Sequence, residues 1–450
     1  MESKILFRER GQALVMIALS LVVLFGFAAL AIDGSIKFSD KRHAQNAVDT
    51  AALAGALALV NDDPDWKLDA LDRATDNGYG NDLVSNQVWV YKCDDTLEER
   101  DGAPLDCGPY EGDPEHISVV ILSHLNTTFA KVIGFNQMHN LVQAVTYWNE
   151  RGPLYDGNMI VALKPDPCSG SGANGNIAVG TSGGSGSEAV INLTGGGAFV
   201  NSGGNGCGME IMGCPTITIT DGTLSSVGDG NINLAVGSQT CSDKLTLPGP
   251  SYNHDPYPFE PDMPDAPDAC GYSPVAYTSN TATKTTTLYQ GYYAEFPPKG
   301  SKKDPVYDNI VLSPGIYCLA TDLSLTTGKS ISGADVLVYL KSGNEFNIQG
   351  GTLNLSGRAT GDYEGYVMIA DSNFAGQSAN CIVNGNADTT FTGTIFAPYC
   401  DIEIDGGGKT TSLSAQIIGY TVKITGSQDV NLYYDPEDNA ERDPKVGLMY

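Results

Sequence analysis

The hydrophobic and polar positions of this chain fall into three successive patterns. From Ala13 to Ile32 there are 20 positions without a charge. As a helix that run is roughly 30 Å long, enough to cross the hydrocarbon core of a bilayer. From Asp33 to Val60 the pattern changes to a helical one without proline, in which Ala44, Ala47, Val48, Ala51, Gly55 and Ala58 recur at spacings of three and four. This predicts a single rod over 13–60, half in lipid and half out, whose outer half carries one face of small apolar residues. Such a face lets another helix approach closely, or packs on the chain's own domain. Ala29-Leu30-Ala31 has the form of a signal-peptidase site, so removal of the apolar run is the competing expectation.

The second pattern covers about ninety residues. An amphipathic helix is predicted within 62–80, ending at Asn77-Gly78, and strands at 87–91, 117–122 and 141–148. A further helix is expected over 127–134, stopped by Gly134. Residues 33–150 thus read as a helical stem with a small α+β domain.

The third pattern begins after residue 150. Short segments such as "EAVINLT", "PTITITD", "DVLVYL", "TLNL" and "DIEI" alternate apolar with polar or small residues between Gly, Asn and Asp corners. Many short strands with tiny turns over a long distance predict an elongated parallel β-solenoid for 151–450, with a β-sandwich as the alternative. A proline-rich stretch around 250–308 is expected to be an ordered but irregular insertion. The fold class is therefore mainly β: a transmembrane or long helix, a small α+β domain, then a β-helix. The domains are 1–32 (cytoplasmic stub and transmembrane helix), 33–150 and 151–450.

Charge and cysteine content narrow the function. With 53 acidic against 25 basic residues the formal net charge is −28, which argues against a nucleic-acid partner. All ten cysteines follow Tyr91: Cys93, Cys107, Cys168, Cys207, Cys214, Cys241, Cys270, Cys318, Cys381 and Cys400. An even number on one side of a membrane span points to disulfides in an oxidising compartment. Nearest-neighbour pairing would give Cys93–Cys107, Cys207–Cys214, Cys241–Cys270 and Cys381–Cys400, leaving Cys168 with Cys318. Spacing alone does not fix the connectivity, and free buried thiols are the other reading. Lys4, Arg8 and Arg10 before the span favour a cytoplasmic N-terminus, while Lys37, Lys41 and Arg42 after it weaken that bias.

Catalytic chemistry finds little support. The five histidines lack zinc-hydrolase spacing and no C-x₂-C occurs. "GTSGG" places Ser182 in a G-x-S-x-G pattern, but without the strand and helix a nucleophile elbow needs. Asp401, Glu403 and Asp405 share one face of "CDIEID", with Ile402 and Ile404 on the other. Grouped carboxylates suit a cation or acid–base work on a polysaccharide, but a solvated strand face explains them as well. Glu260, Asp262, Asp265 and Asp268 form an acidic run without an EF-hand pattern. We assign no catalytic, cofactor-binding or metal-ligating residue, and expect a non-enzymatic protein without a cofactor.

Arg10-Gly11-Gln12, Ile32-Asp33 and the run Gln45-Asn46-Ala47-Val48-Asp49-Thr50-Ala51-Ala52-Leu53-Ala54 resemble the N-terminus of TadG-like proteins of the Tad (Flp-type) pilus-assembly machinery. The family-like part covers about the first third of the chain. The segments 312–318 and 393–435 are similar to β-solenoid modules found behind pilin-like stems. Ordinary prepilins carry Glu at the fifth mature position; cleavage after Gly11 would put Met16 there. The resemblance implies a single-pass cell-envelope protein with an extracytoplasmic C-terminal part. It implies as partners the membrane and other pilin-like or Tad subunits, and for the solenoid surface glycans or host and neighbouring cells. A surface adhesin without a pilus role is the alternative, and a membrane-anchored polysaccharide-degrading enzyme a more distant one.

Overall fold

The computed structural model describes residues 12–165, 176–180, 190–202, 208–212, 215–227, 232–233, 235–236, 239–240, 245–246, 250–251, 266–272, 277–341, 343–371, 379–384, 387–406, 411–426 and 429–449. The chain forms two units, Met1–Gly152 with Asp443–Tyr450, and Pro153–Arg442. The last eight residues, assigned to the second domain in the sequence, thus belong to the first.

In the first unit, helix α1 runs unbroken from Gln12 to Val60. Its apolar start has a mean hydropathy of 2.8, and none of that stretch is buried against the protein. The second half is different: Ala44, Ala47, Val48, Ala51 and Ala52 are fully buried. The small-residue face is therefore used inside the unit. At Gly55 an added Cβ would lie 3.2 Å from Ala70 Cβ and 3.2 Å from Ile117 Cδ1, closer than ordinary van der Waals contact. Ala70 belongs to helix α2 (Trp66–Asp76) and Ile117 to the sheet.

That sheet is antiparallel and consists of β1 (Asn86–Lys92), β2 (His116–Asn126), β3 (Gln137–Asn149) and the C-terminal strand Lys445–Met449. Val88 opposes Ile121, and Val119 opposes Ala144. These residues and Val142 form one core with the buried alanines of α1 and α2. Val446 and Leu448 align with Trp148 and Thr146 of β3. The helix expected over 127–134 is only a 3₁₀ turn, Ala130–Ile133, because the β2–β3 connection is too short for more. Gly134 ends it at φ +94°, a left-handed conformation that favours glycine.

The second unit is a parallel β-solenoid with three faces, not a sandwich. Stacked coils place like residues above one another. On one face the ladder is Tyr317, Val338, Met368, Ile395, Ile417, Ile160, Ala198 and Leu224. On another it is Leu325, Ile348, Val383, Ile404, Ile424, Val179 and Ile211. All fifteen side chains are buried, so each coil completes the core of the next.

The winding order is not the chain order. The chain enters in the middle of the stack, at Asn158–Ala162, and winds one way through Val190–Thr194 and Thr216–Thr220. It resumes at the opposite end with Thr278–Asn280 and winds back through Asn309–Leu312, Ser330–Gly333, Gly351–Ser356 and Ala387–Thr392. The returning strands Ile417–Gly426 and Val430–Tyr433 then pair with the strands that began the unit. Its two ends therefore meet: Leu154 N donates to Ala440 O, and Arg442 lies 3.6 Å from Asp156.

Three further expectations change. The stretch 250–308 is not wholly irregular, since Thr278–Asn280, Thr285–Leu288 and Gly291–Tyr293 are coil strands. Val336–Leu340 and Tyr366–Ala370 are continuous apolar runs rather than alternating ones. Their outer sides are buried too: Leu337, Tyr339, Tyr366 and Ile369 join Phe199, Phe396 and Ala440 in a second core outside the coil. Finally, Cys270 pairs with Cys318, replacing both Cys241–Cys270 and Cys168–Cys318. The reason is topological. Tyr292 N donates to Tyr272 O, which holds the turn Asp268–Gly271 beside a strand whose Tyr292 aligns with Cys318. The structure also forms Cys93–Cys107 and Cys381–Cys400, while Cys168, Cys207, Cys214 and Cys241 lie outside the described residues.

Candidate functional site

Of the residues of the TadG-like motif, Ile32, Asp33, Gln45 and Asp49 lie along one feature, the passage of α1 from an exposed apolar helix to one docked on a sheet. Leu14, Val22, Phe25 and Phe27 are at least two-thirds exposed, and Ile32 is 46% exposed. One residue later Asp33 is only 2% exposed. Its carboxylate accepts from the backbone N–H groups of Thr128 (3.0 Å), Phe129 (3.0 Å) and Ala130 (2.6 Å). A buried carboxylate without such donors would be costly, so this acid fixes where the β2–β3 loop meets the helix.

Two turns further on, Asp40 repeats the device with side chains. Ser123 Oγ donates at 2.5 Å and Asn140 Nδ2 at 2.7 Å to Oδ2, and Tyr79 Oη donates at 3.0 Å to Oδ1. Asn140 also donates to Lys37 O at 3.0 Å. Burial, and then the bond to Asp40, pushes the Tyr79 phenol well above its ordinary range. Gln45 Nε2 donates to Asp49 Oδ1 at 2.8 Å and to Gln143 O at 3.2 Å, joining the helix to β3. Asn46 is exposed, and its carbonyl accepts from Thr50 Oγ1 at 3.0 Å. Arg10 and Gly11 lie outside the described residues, and Gln12 begins the helix.

Asp40, Tyr79, Ser123 and Asn140 were not singled out in the sequence. One signal was there: positions 40, 44, 47, 48 and 51 keep the three–four spacing and Asp33 lies two turns before Asp40, so Asp40 continues the buried face toward Asp33.

The sequence candidates for chemistry are not assembled into a site. Asp401 accepts from Thr421 Oγ1 at 2.6 Å, Glu403 pairs with Lys423 Nζ at 2.9 Å, and Asp405 accepts from Asn384 Nδ2 at 3.4 Å. Each carboxylate is thus engaged by a neighbouring coil, while Ile402 and Ile404 point into the core. Burial, and then the Glu403 charge, raises the Asp405 carboxyl above its ordinary range. Ser182, Glu260, Asp262 and Asp265 lie outside the described residues, and Asp268 starts a 3₁₀ turn. Among the described residues no three His, Cys, Asp or Glu side chains are grouped to hold a metal ion.

The class defined so far is a helix-on-sheet unit, its helix long and apolar enough at its start to cross a membrane, whose chain is interrupted, between β3 and the C-terminal strand, by a β-solenoid. The particular relationship follows from comparison with known proteins. Residues 11–58 match the Flp pilus-assembly TadE/G-like family. No curated protein matches the chain. Among solved structures, the competence-associated pilin ComZ from Thermus thermophilus is similar at 10% identity and a TM-score of 0.27, over 81% of this chain and 85% of that one.

Proposed function

We propose that this protein is a membrane-anchored, exported structural component of a Tad-type pilus or secretion system. It acts as a minor pilin-like or assembly protein and presents its β-solenoid for adhesion or surface interaction. The observation that carries this reading is the division of α1. Its second half is consumed by docking to its own sheet, whereas the apolar run before Asp33 is not buried against any of the described residues. Helices of that length and composition are stable in lipid, where their backbone hydrogen bonds are satisfied internally.

The disulfides support an extracytoplasmic location for everything after the span, with the N-terminus cytoplasmic. The expected partners are the membrane and other pilin-like or Tad subunits through the stem. For the solenoid they are surface glycans or host and neighbouring cells. No enzymatic activity and no nucleic-acid partner belong to this reading.

The test is N-terminal sequencing of the native mature chain from membranes, combined with protease accessibility from the periplasmic side. A retained span with cleavable downstream residues is expected. A mature chain starting at Ile32 overturns the anchor. Deleting the gene should reduce pilus number or pilus-dependent attachment; loss of attachment with pili unchanged points to an adhesin without a pilus role.

A further inference from the structure

The membrane-proximal end of the first unit carries exposed apolar side chains that its own fold does not use. β2 ends at Asn126 and β3 begins at Gln137, and the loop between them holds Phe129 (42% exposed), Val132 (85%) and Phe135 (65%). The loop is not free to drift. Its backbone is bonded to Asp33 at three successive N–H groups, and Thr127 Oγ1 donates to Phe135 O. A second apolar tip, Leu83 and Val84, sits at the same end of the sheet. It precedes β1, and Ser85 O accepts from His124 N. The Asp82 carboxylate holds this tip by accepting from the N–H groups of Val84, Ser85 and Asn86 at 2.7–2.9 Å.

These tips adjoin the place where the apolar run of α1 stops. Lys37, Lys41 and Arg42 of the adjoining stretch of α1 and Lys131 of the loop are all exposed, with Asp82 the exposed acid of the second tip, on a protein whose net charge is −28. Exposed apolar side chains near the end of a membrane span, with four exposed cations on the adjoining helix and loop, match the boundary between acyl chains and anionic headgroups. We infer that the 128–135 loop, with the Leu83–Val84 tip beside it, is a second membrane contact that inserts into the bilayer interface where α1 leaves it. Two contacts hold the first unit at a fixed height and rotation over the bilayer, which a single helix does not. Asp33 then acts as a positioning residue that sets the loop at the right level. The inference rests on the anchored reading above.

The test uses the full-length chain reconstituted in vesicles of phosphatidylcholine and phosphatidylglycerol, with and without brominated acyl chains, which quench tryptophan near the hydrocarbon boundary. The native tryptophans are suited as background. Trp66 and Trp148 are buried, and Trp66 packs beside Gly55, about 33 Å along α1 from Asp33. Trp89 donates to Asp101 O in the loop that follows β1, at the opposite end of the sheet. Single additions are then compared: Phe25→Trp in the span, Val132→Trp and Phe135→Trp in the loop, and Leu97→Trp as an equally exposed apolar position at the far end.

The expected result is loss of the added emission to brominated lipid for Phe25→Trp, Val132→Trp and Phe135→Trp, and none for Leu97→Trp. Quenching of Phe25→Trp without either loop variant overturns the loop contact and leaves the anchor standing. Equal quenching of Leu97→Trp shows unspecific adsorption and also overturns it. Failure of Phe25→Trp overturns the anchored reading itself.

Discussion

Asn192 donates its side-chain amide to the side-chain carbonyl of Asn431 at 2.8 Å, across 239 residues of sequence. The two asparagines mark the joint where the outgoing and returning halves of the solenoid meet. Beside them, Leu193 aligns with Leu432 and Ile191 with Val430, all four buried. The joint makes a continuous stack from two separate windings, and it brings the chain's entrance and exit together at Leu154 and Ala440.

A cavity at this joint should therefore destabilise both halves together. Leu432→Ala is expected to cost about 2–5 kcal/mol, since the side chain is fully buried. Asn192→Ala removes one half-buried hydrogen bond and should cost about 1 kcal/mol. Thermal melting checks both. A single lowered solenoid transition is expected for Leu432→Ala; splitting of that transition into two would show that the halves fold independently.

The stem docking makes a sharper prediction at Asp40. Asp40→Ala leaves Ser123, Asn140 and Tyr79 without their shared acceptor, and a buried donor left unsatisfied costs about 1–3 kcal/mol. Asp40→Asn keeps one acceptor oxygen and should recover part of the loss. Limited proteolysis within β2 and β3 reads the difference, because undocking α1 exposes that face of the sheet.

Much of this was legible in the sequence where the pattern is local. The rod over 13–60 follows from the lack of proline and the spacing of small residues, and the alternation in "CDIEID" gives the inward side of the strand because the period of two leaves no other choice. What was illegible depends on residues far apart. Nothing local to Asn431 names Asn192 as its neighbour. Lys445–Met449 has the same alternation as any edge strand, so its return to β3 is set by three-dimensional closure. Cys318 has its nearest cysteine in sequence at Cys270, but a greedy pairing spent Cys270 on Cys241 first. "VLVYL" lost its alternation because a second layer covers the outer side, which only the assembled coil reveals. Asp40 went unnoticed because a polar residue on an apolar face reads as an interruption until its partners on β2 and β3 are known.

Acid should loosen the Leu83–Val84 tip in a defined window. Hydrogen bonds from the N–H groups of Asn86, Val84 and Ser85 lower the Asp82 carboxyl from 3.8 to about 2. A carboxyl lowered by folding contributes stability above its unfolded value, and that contribution is lost as the pH falls from 3.8 through about 2. The amide resonances of Val84, Ser85 and Asn86 should titrate together with a midpoint near 2, and Asp82→Asn should abolish the titration. A midpoint at 3.8 would show that the carboxylate does not hold the tip.

The loop between β1 and β2 depends on its disulfide. Cys93 and Cys107 are 14 residues apart, a loop whose closure is worth about 3 kcal/mol in the chain-entropy account. Inside it Arg100 donates to Cys93 O at 2.7 Å and to Asp95 O at 2.9 Å, and pairs with Glu111 at 2.8 Å. The double change Cys93→Ser with Cys107→Ser should lower the melting temperature of the first unit while leaving the solenoid transition in place. Alkylation of the native folded chain should reach none of the six described cysteines until reductant is added.

The solenoid register can be tested at adjacent positions with opposite demands. Ile404 is 1% exposed and stacked between Val383 and Ile424, so Ile404→Asp buries a carboxylate with no partner. The cost should be several kcal/mol, about 3 or more, or the carboxyl must stay protonated. Glu403 lies on the outer side of the same strand, paired with Lys423 at 2.9 Å, both side chains more than a third exposed. Exposed pairs of this kind contribute about 0–1 kcal/mol, so Glu403→Gln should melt close to the parent. The same two proteins test the non-enzymatic reading. The parent is expected to cleave nothing in a panel of acidic and neutral polysaccharides. If it does cleave one and Glu403→Gln does not, Glu403 is a catalytic acid or base and the structural function is wrong. If Ile404→Asp melts like the parent, Ile404 does not face the core and the register assigned to Thr394–Gly406 is wrong.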